Sequence, residues 1–99
     1  MTNTFTVTLA AADTNYSLLT LVRAIDANFR DSGDFVVQAD DDGGAQIYRL
    51  GGSTISGAIG TTMLAGDFSA HYDHLCGLYA RSNVAAKKLH IQRTGLRRN

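Results

Sequence analysis

Met63 to Gln92 reads MLAGDFSAHYDHLCGLYARSNVAAKKLHIQ, and its rhythm decides the fold class. Ala65-Gly66-Asp67 is a turn signal before Phe68. Leu75 to Ser82 is an apolar run that ends in a charge and a hydroxyl. Leu89 and Ile91 then alternate with His90 and Gln92, the signature of a half-buried strand. The stretch therefore reads as a turn, a strand, a second turn and a last strand, with no catalytic motif in it.

The same alternation opens the chain. Phe5, Val7 and Leu9 share one face of a predicted strand, and Thr4, Thr6 and Thr8 share the other. Ala10 to Asn15 is a connector, in which Asp13, Thr14 and Asn15 are competent helix N-caps. The period then changes. Leu18, Leu21, Val22, Ile25 and Phe29 fall on one face at helical spacing, which predicts a helix over 16–29 whose apolar stripe lies on the sheet. Gly33 suits the residue just past its end.

Phe35 to Ala39 and Ala45 to Leu50 are predicted strands around Asp40-Asp41-Asp42-Gly43-Gly44. A hairpin turn is the economical reading, because Asp and Gly tolerate left-handed backbone. Ser53 to Ser56 is a further candidate strand, and Gly57 to Thr62 reads as a loop feeding Met63-Leu64. Short strands with turn signals every eight to twelve residues predict a mainly β fold, an antiparallel β-sandwich or a jelly-roll-like barrel with one short α-helix. The 99 residues are expected to form a single domain with a basic tail over 94–99.

Composition narrows the function classes. A hydrophobic fraction of 44% is ordinary for a globular domain. No apolar run approaches the roughly 20 residues that span a bilayer, so no membrane partner is expected. The N-terminus lacks the basic segment of a signal peptide. The one cysteine, Cys76, excludes an internal disulfide. It reads as a small buried hydrophobe in an apolar strand, with an intermolecular disulfide as the alternative.

Charge is unevenly placed. All nine acids are aspartates, and they lie within 1–74 beside three arginines, a net −6. Residues 75–99 hold six basic residues and no acid, a net +6. Such a split suits head-to-tail association or docking on a partner of opposite sign. Asp40, Asp41 and Asp42 on one side, and Arg93, Arg97 and Arg98 on the other, are the candidate partner-binding residues.

Other chemistries fit less well. Three consecutive aspartates alternate in direction and lack the spacing of a calcium loop. His71, Asp73 and His74 could join Cys76 and His90 in a zinc set only if the fold gathered them. Cys76 in an apolar strand is a poor nucleophile. The glycine pairs form no phosphate-binding loop. The basic tail lacks the interleaved aromatics of a single-strand binder, which argues against nucleic acid. No cofactor and no metal site is expected.

Several stretches together resemble a group of small structural proteins encoded by tailed bacteriophages. They are TFTVTLA at Thr4–Ala10, YSLLTL at Tyr16–Leu21, VQA with its acidic turn at Val37–Asp42, LAGD at Leu64–Asp67, LYARS at Leu78–Ser82 and KLHI at Lys88–Ile91. Proteins of that group are mostly β and are described as virion or head-associated components. The resemblance implies a non-enzymatic virion protein. Its first form is a capsid decoration protein that binds the major capsid protein, located in the virion and forming a homo-oligomer. A neck, collar or tail component assembled as a ring is the alternative. A metal- or carbohydrate-binding module using His71, Asp73 and His74 is a third reading, from a different class.

Overall fold

The computed structural model describes residues 4–95. Along the chain run β1 (Thr4–Leu9), β2 (Tyr16–Ser17), α1 (Leu18–Ile25), β3 (Asp34–Ala39), β4 (Ile47–Gly51), β5 (Thr61–Leu64), β6 (Tyr79–Ser82) and β7 (Lys87–Gly95). They form two antiparallel sheets, one in the order β1-β7-β3 and the other in the order β2-β6-β4-β5. The protein is mainly β and sandwich-like, as the alternation predicts.

The first sheet follows directly from its residues. Leu89 lies between Val7 and Ala39, and Ile91 lies between Phe5 and Val37. All six are buried, whereas Thr4, Thr6 and Thr8 face solvent. The second sheet sends Tyr48, Leu50, Met63 and Ala80 inward to the same core. Burying a large apolar side chain contributes about 1.5–3 kcal/mol, an upper figure because the unfolded chain is itself partly collapsed.

The free edge of β3 is covered by irregular chain. Ala39 N donates to Asp67 O at 2.9 Å, Ser69 N to Val37 O at 2.8 Å, and Phe35 and Tyr72 exchange bonds of 2.7 and 2.9 Å. This guards a sheet edge without proline.

Five expectations need correction. The helix is Leu18–Ile25 rather than 16–29, because Tyr16 and Ser17 pair with β6 and Ser17 caps the helix through Thr20 N. It stops at Asp26, whose backbone is extended and whose carboxylate accepts from Asn28 N at 3.1 Å. Aspartate competes with helical backbone in this way. Leu18 and Val22 carry the buried stripe, Ile25 is exposed, and Phe29 reaches the core from the following turn.

Second, β3 and β4 are not hairpin partners. The acidic turn carries the chain from one sheet to the other. Third, Ser53–Ser56 is a turn closed by Ile55 N to Gly52 O, and the strand forms at Thr61–Leu64, taking in the last two residues of the stretch read as a loop. Fourth, Leu75–Gly77 is a turn, with Leu78 N bonded to Leu75 O and Gly77 at φ 80°, so the strand begins only at Tyr79. Fifth, β7 runs on through Arg93, Thr94 and Gly95, so the predicted tail over 94–99 begins as strand. The rest of that tail, with Arg97 and Arg98, falls outside the described residues.

Candidate interaction surface

The acidic turn folds back onto the basic strand of its own chain. Asp42 accepts from Lys87 Nζ at 2.8 Å, Gly44 N at 3.0 Å and Gln46 Nε2 at 3.1 Å. The Lys87 bond leads the causes that hold the Asp42 carboxyl down to about 2, from an ordinary 3.8. The same bond raises the Lys87 ammonium. Asp41 accepts from Gly43 N at 3.3 Å, and Gly43 takes a left-handed φ of 83°. These are local side-chain turns of the kind Asp-x-Gly favours. Gln46 and Tyr48 anchor the turn from inside, with Tyr48 Oη donating to Lys88 O at 2.9 Å. Burial pushes the Tyr48 phenol up.

Asp40 engages the outer face of the first sheet. Its carboxylate lies 2.8 Å from His90 Nε2, and His90 Nδ1 lies 2.9 Å from Thr6 Oγ1. The ring thereby ties β1, β7 and the turn together. A hydroxyl–imidazole–carboxylate row also needs an oxyanion site and a cleft before it can do nucleophilic chemistry. Thr6, His90 and Asp40 line neither the cavity beside Arg49 and Arg81 nor the cleft beside Cys76.

Arg93 is 9% exposed, and its guanidinium carbon sits 5.1 Å from the ring centres of both Phe29 and Phe35. It donates to Arg30 O. Phe29 meets Phe5 edge-on at 5.2 Å. Arg93 is therefore part of the packing beneath β7.

The histidine cluster is spread out. His71 Nδ1 pairs with Asp34 at 2.8 Å, and His74 Nε2 lies 3.5 Å from Asp73, all exposed. Cys76 is exposed rather than buried, held on a turn whose Leu75 and Cys76 N–H groups bond to the Asp31 carboxylate. Cys76, His74 and Tyr72 line an open cleft of about 320 Å³ with Leu50, Thr61 and Leu78. His90 is engaged elsewhere, so the zinc set considered from sequence is not gathered. Among the described residues no group of three or more His, Cys, Asp or Glu could hold a metal ion.

The outer face of the second sheet presents apolar surface instead. Ile47 and Leu64 are register partners on β4 and β5, and they are 39% and 53% exposed. Strand β5 is the sheet's terminal strand, and its residues Thr61-Thr62-Met63-Leu64 include neither a charge nor a proline. Asn83 fixes the start of β4 by accepting from Ile47 N at 2.7 Å and donating to Ile47 O at 3.1 Å. This pair was missed in sequence, although a signal was present. Arg49 sets the parity of the strand, which turns Ile47 outward and Tyr48 and Leu50 inward.

Compared with protein-family models, curated proteins and solved structures, the chain matches none. Among the described residues no helix is long and apolar enough to cross a membrane.

Proposed function

We propose that this protein is a non-enzymatic structural component of a tailed-phage virion, a capsid decoration protein docking on the major capsid protein in many copies. The observation that carries the reading is where the resembling stretches fall. TFTVTLA contains β1, YSLLTL spans β2 and the first half of α1, VQA ends β3, LYARS contains β6, and KLHI lies in β7. In LAGD, Asp67 Oδ2 accepts from Leu64 N at 2.9 Å and closes the turn after β5. The stretches that carry the resemblance are thus patterns of packing and turns rather than of chemistry, which suits a structural role in this reading.

The docking face in this reading is the outer side of the second sheet, around Ile47 and Leu64. An uncharged terminal strand with apolar neighbours is costly to leave bare and suits burial against a partner. The acidic turn contributes less, because Asp40 and Asp42 are already engaged within the chain.

Quantitative mass spectrometry of purified virions tests the proposal. Copy numbers on the order of hundreds per particle support decoration. Copy numbers of about six or twelve, the closed-ring values of cyclic symmetry, would move the protein to the neck or tail. Its absence from particles would refute a virion role.

A further inference from the structure

On the outer face of the second sheet, Arg49 of β4 and Arg81 of β6 are register partners. Directly opposed residues point to the same side of a sheet, so the two guanidinium groups leave it side by side. Like charges in that position destabilise a sheet unless an anion lies between them. Arg81 is partly satisfied, with Nη2 at 3.3 Å from Asp13 Oδ1 and Nη1 at 3.4 Å from Asn15 Oδ1. Arg49 donates only to Gly60 O, at 3.2 Å, and meets no carboxylate among the described residues.

Both arginines line a cavity of about 120 Å³ with Asp13, Ile47, Gly57 and Asn83. That is several times the roughly 10–15 Å³ a single water needs. Asn83 accepts from Ile47 N through Oδ1, which leaves its amide N–H groups as donors at the wall.

We infer that this cavity receives the carboxylate of an acidic side chain presented by a protein partner. The planar guanidinium fork matches a carboxylate in paired hydrogen bonds. Two arginines against one aspartate leave the lining one positive charge, which suits a monoanion better than a phosphate dianion. Ile47 supplies apolar wall for the methylene stem behind the carboxylate. The inference rests on the proposed function only for the partner being a protein. Its test needs no particle, so the two can fail separately.

The test is an NMR titration of the full ¹⁵N-labelled chain, following the Nε–H signals of Arg49 and Arg81 at constant ionic strength. The probes are N-acetyl-glutamate α-amide, acetate and inorganic phosphate. The expected result is saturable shifts with the capped glutamate, binding about threefold weaker for acetate, and weaker again for phosphate. Arg49→Gln should weaken capped-glutamate binding about tenfold without lowering the melting temperature, since it also removes a like charge opposite Arg81. Asp13→Asn, which tolerates the left-handed φ of 53° at that position, should tighten it about threefold. Acetate binding as tightly as the capped glutamate would overturn the side-chain assignment, and phosphate binding most tightly would overturn the carboxylate. Absence of saturable shifts, or full binding by Arg49→Gln, would overturn the site.

Discussion

Replacing Arg93 with alanine should damage the fold. Its guanidinium carbon lies 5.1 Å from the centres of two aromatic rings, and its terminal nitrogen donates to a backbone carbonyl. Each cation–π contact contributes about 0.5–2 kcal/mol. A hydrogen bond from a charged donor adds about 1.5–3 kcal/mol. Relief of burying a charge offsets part of this, so the net expected cost is about 3 kcal/mol. At about 4–8 °C per kcal/mol for a domain of this size, the melting temperature falls by roughly 12–24 °C. Arg93→Met keeps the aliphatic stem over the rings and should lose only about half as much. Urea denaturation read by circular dichroism, with calorimetry for the midpoint, measures both variants. A loss below about 0.5 kcal/mol for Arg93→Ala, the value of a surface site, would show that the side chain is only resting on the rings.

Acid should weaken the turn around Asp42. Its folded carboxyl is held at about 2 against an ordinary 3.8, so its contribution is complete above about pH 4 and is lost as pH falls through 2. Asp42→Asn should flatten that part of a stability-against-pH curve, and an unchanged curve would contradict the Lys87 pairing. Leu18→Ala, at a fully buried helix position, should cost about 2–5 kcal/mol in denaturant melts, whereas Ile25→Ala should cost under about 1 kcal/mol. Equal losses would mean that the helix packs through its last turn as well. Cys76 should react stoichiometrically with a thiol reagent in the native protein, because it is exposed. Protection until denaturant is added would place it inside.

Period-two alternation made the first sheet legible. Val7, Leu89 and Phe5 announce their inward face from their immediate neighbours. Strand partnership was not legible, because it is decided at long range. Asp40-Asp41-Asp42-Gly43-Gly44 looks like a hairpin turn, yet two of its carboxylates are bound to Lys87 and His90, more than forty positions away. Nothing local distinguishes a turn within a sheet from one between sheets. Phe29 was correctly placed on the apolar side and wrongly placed in the helix, since Asp26 ends the helix while the chain still returns to the core. Arg93 was misread because a cation near the C-terminus suggests solvent, and only the fold brings two phenylalanines beneath it. The Arg49–Arg81 pairing likewise exists only once β4 and β6 are neighbours.

The most direct test of the docking proposal is a cryo-electron microscopy reconstruction of the virion at side-chain resolution. The expected map shows the second sheet's outer face against the major capsid protein. Ile47 and Leu64 are covered there, and an acidic capsid side chain sits between Arg49 and Arg81. A map in which that face looks into solvent, or in which the chain is not part of the capsid surface, would contradict it.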